Sequence, residues 1–419
     1  MMFCPPATYG AEEATAPAVL FGELEELVNS GFLPNYHLAV VNRKGAVATQ
    51  SGYYERGVVQ VEPLTTRSLV SLLSLSKPIT NLLALKLIDD GYLTLDDPLS
   101  KYLPQLGSLQ VHQEDGTTRR AAADILIKDL LLHTAGFAQN ADFLGWGEVS
   151  NLYADHGIFG LNCLSSDTPE ALAKIVARAA TLPLAKEPGE KFAYSIATDV
   201  LGRVLEVATG ESFASLIADY IAGPLGLSDI TFQVSAARVN DVAQLYQPLI
   251  KTYPVPGAYQ RYEPFSEFAT DVVNAGIDLG CISPGVGLMA SMNDMVRFAE
   301  FLLNGLKLKD GQPFLRRGLS QQVFRHSLDP ALGERPLRES LAYAGKDGLS
   351  IASLAIRPKK GGDLGTVADH DFYYWSGFSG SGLWVDKSTG TAGVLLTQLY
   401  PSDRFLIPKL VAKVRASSN

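Results

Sequence analysis

Apolar residues recur along this chain at two periods, and the two periods divide it. Near the start, Leu20, Leu24 and Leu27 stand three and four apart, the spacing of an amphipathic helix. The segments His37–Val41 and Ala46–Tyr54 then carry strand-forming residues on either side of the turn signal Asn42-Arg43-Lys44-Gly45, which predicts a β-hairpin. From Ser74 to Asp90 the helical period returns, with Gly91 placed to close the C-terminus. The middle of the chain reads as helix and loop. Thr168-Pro169-Glu170 starts one helix, a second runs from Thr198 to Thr209 and stops at Gly210, and a third starts after Ser291 and ends near Gly305. Residues 245–265, rich in Pro and Tyr, read as covering loop.

Strand patterns return in Ser350–Ile356, Asp371–Gly377, Gly382–Val385 and Ala392–Leu399, with Asp386-Lys387-Ser388-Thr389-Gly390 as a turn and residues 402–416 as a closing helix. Strands at both ends with helices between them predict an α/β fold of the α+β type. Its antiparallel sheet is built from both termini and flanked by helices, and a mostly helical domain is inserted. The expected division is residues 1–80 and 345–419 for the sheet domain and 81–344 for the helical domain with its covering loops, the site lying between them.

Composition narrows the function classes. Apolar residues make up 47% of 419 residues and charged residues 19%, enough for a sizeable core and against intrinsic disorder. The 44 acidic residues outnumber the 35 basic ones, a net charge of -9 that argues against nucleic acid as a partner. No apolar run reaches the length of a membrane span. The first basic residue is Arg43, so the start lacks the positive region of a secretory signal. Cys4, Cys163 and Cys281 form no pattern, and His37, His112, His156, His326 and His370 show no metal spacing. These point to a cytoplasmic protein with no cofactor and no metal; the oligomeric state is open.

The candidate chemistry begins at Ser74-Leu75-Ser76-Lys77. A serine and a lysine three apart at the start of a helix share one face, so the amine can reach the hydroxyl. Serine is a poor nucleophile until a base takes its proton, and a lysine serves if burial lowers its pKa. An N-cap serine followed by a solvated lysine has the same sequence. Tyr194-Ser195 is a second feature, since a tyrosine beside a lysine can relay a proton, the cation lowering the phenol's pKa; an ordinary half-buried loop tyrosine is the plainer alternative. Trp375-Ser376-Gly377-Phe378 is a third, where a glycine lets a substrate approach the strand edge and the following N–H can serve an oxyanion hole. A G-x-S-x-G elbow is absent.

The order of these three features resembles that of the serine β-lactamase and penicillin-binding-protein superfamily. Within it the chain is most similar to the class C β-lactamase-like, or family VIII, carboxylesterases. Further matches are Asp89-Asp90-Gly91-Tyr92-Leu93-Thr94-Leu95-Asp96-Asp97-Pro98, Leu131-Leu132-His133-Thr134-Ala135-Gly136, and Pro284-Gly285-Val286-Gly287-Leu288 followed by Asp294-Met295-Val296-Arg297-Phe298. The resemblance implies Ser74 as nucleophile, Lys77 and Tyr194 as its acid/base pair, and an oxyanion hole from the backbone N–H groups of Ser74 and Phe378. Trp375, Ser376 and Gly377 would face the substrate. His133 reads as a packing and hydrogen-bonding residue, and Trp146 and Tyr153 as candidates for the acyl pocket, the core or a lid. Ile196 stands where the family usually has Asn, and Trp375-Ser376-Gly377 where β-lactamases have Lys-Thr-Gly. Lys387-Ser388-Thr389-Gly390 imitates that last motif but is assigned to hairpin geometry. The implied activity is hydrolysis of small carboxylic esters of short to medium acyl length through an acyl-enzyme. The rivals are a β-lactamase or D-alanyl peptidase, an acyltransferase, and a catalytically silent binding homologue.

Ser74→Ala is expected to abolish hydrolysis of p-nitrophenyl esters in a chain that circular dichroism shows to be folded. Ser76→Ala should keep most of the activity, because Ser76 lies about 200° around a helix from Ser74.

Overall fold

The computed structural model describes residues 15–45, 47–55, 61–139, 148–158, 171–248, 262–264, 282–327, 348–358, 370–400, 402, 406–407, 409–410 and 413. The strands are β1 (Asn35–Asn42), β2 (Val47–Tyr53), β3 (Val70–Ser71), β4 (Gln110–His112), β5 (Thr118–Arg120), β6 (Tyr246–Pro248) and β7 (Tyr262–Pro264). They continue with β8 (Met289–Ala290), β9 (Gly348–Leu349), β10 (Ala355–Pro358), β11 (His370–Ser376), β12 (Gly382–Asp386) and β13 (Thr391–Leu396). Seven of them form one sheet in the order β2-β1-β13-β12-β11-β10-β9, antiparallel at every pairing. The first hairpin thus joins the last strand: His37 pairs with Leu396 and Asn42 with Thr391. This is the sheet from both termini that the sequence predicts, set among helices.

Every residue of β12 is buried, and all but Ser376 of β11, so the centre of the sheet is covered on both faces and its strands lose the polar alternation of a half-exposed sheet. Helix α1 (Thr15–Asn29) packs on β1 and β2. The helix Met292–Leu303, which the sequence groups with the helical region, packs on β13, β12 and β1. Its N-cap is Ser291, whose hydroxyl accepts from the Asp294 N–H at 3.4 Å. The helix Ala197–Thr209 ends on Gly210 at φ 79°, as its sequence signals. The first hairpin turns through an Asn42 side chain that accepts from the Lys44 N–H at 2.8 Å.

Two expectations fail. Ser350–Ile356 is not one strand: it is broken between β9 and β10 by a turn at 351–353, with Ser353 at φ 53°. The Ser350 hydroxyl accepts from the N–H groups of Ala352 (3.2 Å) and Leu354 (3.3 Å), and this local bonding competes with the ladder that Ile351 would otherwise favour. Residues 245–265, expected to be loop, contain the paired strands β6 and β7 at their ends. The start Thr168-Pro169-Glu170 lies outside the described residues; the helix it precedes runs Ala171–Ala179. Of the closing helix, residues 406–407, 409–410 and 413 are described and helical.

The end of β11 meets the segment that leads to Ser74. A Cβ on Gly377 would stand 2.2 Å from the Leu72 carbonyl oxygen, a backbone atom that cannot step aside. Glycine there lets the end of β11 close onto the segment that carries Ser74. Gly377→Ala is expected to destabilise the fold by about 2 kcal/mol or more, measured as a drop in the midpoint of urea unfolding, with ester hydrolysis falling alongside.

Candidate active site

Ser74 lies in a single 3-10 turn, Leu73–Leu75, directly ahead of helix α2 (Ser76–Asp89). The preceding residue, Leu73, has φ 45°, a left-handed conformation that costs a leucine on the order of 1–3 kcal/mol. Bonds from both sides hold it there. The Leu72 N–H donates to the Leu288 carbonyl at 2.9 Å. The Gln398 side chain accepts from the Ser71 N–H at 3.2 Å and donates to the Ser71 carbonyl at 3.3 Å, filling the place of a strand. The indole N–H of Trp375 donates to the Ser74 carbonyl at 3.0 Å.

Three of the side chains picked from the sequence converge. Tyr194 donates its hydroxyl to Ser74 Oγ at 2.8 Å. Lys77 Nζ donates to Ser74 Oγ at 3.4 Å and to the Gly285 carbonyl at 2.9 Å, and lies 4.8 Å from the centre of the Tyr194 ring. The lysine is 2% exposed, which removes the solvated-cap alternative.

Burial presses the Lys77 amine down to about 8, against the opposing pull of the Asp199 charge. The phenol goes the other way. Burial pushes Tyr194 well above its ordinary value and Asp199 adds to the rise, while the bond to Ser74 offsets only part of it. The sequence reading, in which the neighbouring cation lowers the phenol's pKa, is therefore corrected: enclosure outweighs the cation.

Asp199 was missed. Its carboxylate accepts from Ser283 Oγ at 2.5 Å and from the Gly285 N–H at 3.2 Å. Burial raises its own pKa, and the charge of Lys77 draws it back. A Cβ on Gly285 would stand 2.9 Å from Asp199 Oδ2 and 3.3 Å from Lys77 Nζ, so a side chain there would press on both charged groups. The loop carrying it is fastened to α2 by Thr80, whose hydroxyl donates to the Pro284 carbonyl at 2.6 Å, and by Ser76, whose oxygen accepts from the Leu288 N–H at 3.2 Å. Ser76 is thus a buried anchor, and Ser76→Ala carries a stability cost as well as its expected activity. No local spacing links residues 77, 199 and 285; only the Pro-Gly pair at 284–285 hinted at the loop.

His133 packs where the sequence placed it but does not hydrogen-bond through its ring among the described residues. Its imidazole lies 4.7 Å from the Tyr194 ring, and burial together with the Lys77 charge holds its pKa well below the ordinary range, so it remains neutral. Its carbonyl accepts from the Ala193 N–H at 2.6 Å, which makes the His133 segment a frame for Tyr194. Ile196 is buried in the core at the N-cap of the helix Ala197–Thr209 and offers no polar group there. Trp375, expected to face the substrate, is 1% exposed, and its indole N–H donates to the Ser74 carbonyl. Ser376 is half-buried, and Phe378 packs edge-on against Tyr400. Tyr153 is buried in the core, while Trp146 lies outside the described residues. Lys387 sits in the β12–β13 turn, where Asp386 accepts from the N–H groups of Ser388 and Thr389.

A serine in a tight turn ahead of a helix, flanked by a buried amine and a phenol beside the end of a strand of an antiparallel sheet, is the arrangement of a class of serine hydrolases, and sequence comparison agrees. The sequence profile of the Beta-lactamase family matches residues 23–416, and the chain belongs to that family. Its wider superfamily includes esterases, acyltransferases and D-alanyl carboxypeptidases. The chain is 27% identical over 379 residues to Esterase EstB of Burkholderia gladioli, covering 86% of this chain and 85% of that one. Two solved structures share the fold. One is EstCE1, a hydrolase with promiscuous acyltransferase activity, at TM-score 0.72 and 21% identity, covering 97% of this chain and 99% of that one. The other is the simvastatin synthase LovD of Aspergillus terreus, at TM-score 0.73 and 18% identity, covering 96% and 98%. Among the described residues no helix is long and apolar enough to cross a membrane.

Asp199→Asn keeps the acceptor oxygen and removes the charge. Lys77 then loses its stabilising partner, and the acid limb of the kcat/KM profile should move from near pH 8 to lower pH by about one unit or more. An unmoved limb would separate Asp199 from the titrating group.

Proposed function

We propose that the chain is a carboxylesterase of the family VIII type, acting through an acyl-enzyme on small esters of short to medium acyl length, in a cleft between the sheet unit (1–80 and 345–419) and the helical unit (81–344). The observation that carries the reading is Ser74 Oγ within reach of both a buried amine and a phenol. A neutral lysine keeps two N–H groups and one lone pair. With one N–H on the Gly285 carbonyl, the lone pair is available to Ser74 Oγ, and an amine with a pKa near 8 is partly neutral at neutral pH. Ser74 attacks the ester carbonyl as Lys77 takes its proton. Tyr194, holding its own proton tightly, passes one to the departing alkoxide and is reprotonated from Lys77. Water enters by the reverse of these steps and releases the acid. The N–H groups of Ser74 and Phe378 receive the oxyanion, the contribution that is usually largest.

The end of β11 supports esters over β-lactams. Position 375 holds a buried indole rather than a cation, so the carboxylate of a penicillin or cephalosporin finds no charge-assisted contact from that residue. Such a contact is worth about 1.5–3 kcal/mol, or roughly ten- to a hundredfold in binding. EstB, named an esterase, supports the same reading.

The test is labelling of Ser74 by a fluorophosphonate, then kcat/KM on p-nitrophenyl butyrate beside nitrocefin. The ester is expected to be turned over much the faster, and a parent that favours nitrocefin overturns the reading. Trp375→Phe removes the bond to Ser74 and keeps an aromatic ring there, so it should slow both substrates alike, on the order of tenfold, and leave their ratio unchanged.

A further inference from the structure

The Lys387-Ser388-Thr389-Gly390 turn has no part in the chemistry above, yet it borders a cavity of about 690 Å³. Its lining carries Arg43, Arg297, Lys307, Lys309 and Lys387 and one carboxylate, Glu300. The cations come from separate stretches of chain: Arg43 from the β1–β2 turn, Lys387 from the β12–β13 turn, Arg297 from the exposed side of the helix Met292–Leu303, and Lys307 and Lys309 from the loop after it. Cations near a helix C-terminus are ordinarily explained by the helix dipole. That accounts for the lysines of the loop but not for the two residues on hairpin turns.

The one carboxylate of the lining, Glu300, feels the charges of Arg297 and Lys309 and answers only part of the five. Among the described residues none of the five makes an ion pair with a carboxylate, whereas Arg67, Lys86, Lys101, Arg203, Arg238 and Arg316 do. The chain as a whole is acidic at -9, so such a convergence does not follow from composition. Lys387 is held 3.2 Å over the Phe324 ring, and burial together with the charge of Arg43 lowers its pKa to about 8. Arg43 and Lys387 therefore oppose one another, and an anion placed among the cations would relieve that. Leu225, Phe301 and Leu308 supply an apolar wall for the body of an organic molecule.

The cavity is far from Ser74. β12 has Gly382 at the end that pairs with Ser376 and Asp386 at the end that leads to Lys387. The four rises between them, at about 3.3 Å each, set the two ends roughly 13 Å apart. From these observations we propose that the cavity is a second binding site, for a small organic polyanion carrying several phosphoryl or carboxylate groups.

The test is calorimetric titration of the full chain with inorganic pyrophosphate and, separately, with citrate. Saturable binding of at least one is expected, weakening with added salt. The exposed pair Lys307→Ala/Lys309→Ala should bind on the order of tenfold more weakly or worse, and Arg43→Ala should weaken it independently. Hydrolysis of p-nitrophenyl butyrate should stay at the parent rate in these variants, and Ser74→Ala should bind the anion as the parent does, a readout that stands whether or not the chain is an esterase. Tighter pyrophosphate assigns the site to phosphorylated ligands, and tighter citrate to polycarboxylates. No saturable binding of either probe, or equal affinity in parent and variants, overturns the proposal.

Discussion

The burial of one amine is the constraint on which the candidate site turns. Lys77 can be kept dry only if its N–H groups find partners and its charge is answered, and the surrounding parts of the site do one or the other. The Gly285 carbonyl accepts one N–H, Asp199 supplies the opposing charge, and the 283–288 loop is tied to α2 through Thr80 and Ser76 so that neither can drift away. The result is an amine balanced near neutrality, beside a phenol that burial makes a reluctant acid. Two groups whose environments drive their pKa values apart are suited to opposite halves of a proton transfer.

The same burial bears on stability. In the unfolded chain Lys77 titrates near its ordinary value of about 10.4, while in the fold it titrates near 8. Between those values the unfolded chain holds the extra proton, so this group's contribution to stability rises with pH across the window and is least favourable below it. Together with the left-handed backbone at Leu73, it marks the site as a place where stability is given up for chemistry.

Much of this was legible in the sequence, for identifiable reasons. The hairpin at 37–54, the stop at Gly210 and the cap at Ser291 follow from local rules that tertiary packing left alone. Ser74, Lys77 and Tyr194 were legible because a short spacing and a fixed order carry them. Asp199 was not, because its meaning depends on a loop more than eighty residues away closing on a lysine near the start of the chain. The break at 351–353 was hidden because a single hydroxyl outweighs the strand preference of its neighbours. Trp375 was placed on the right strand, but no local rule assigns its indole N–H a partner, and only the fold shows that Ser74's own carbonyl takes it.

The bond from Trp375 to Ser74 spans 301 residues. During synthesis Ser74 therefore leaves the ribosome long before the strand that steadies it exists, and the first hairpin waits for β13 before it has its inner neighbour. Contacts of such sequence separation form late, since the loop they close must be ordered first. A nascent chain with Ser74 and Lys77 already exposed has neither the enclosure that lowers the amine's pKa nor the indole bond to the Ser74 carbonyl. The site is left unassembled by topology until the last strands arrive.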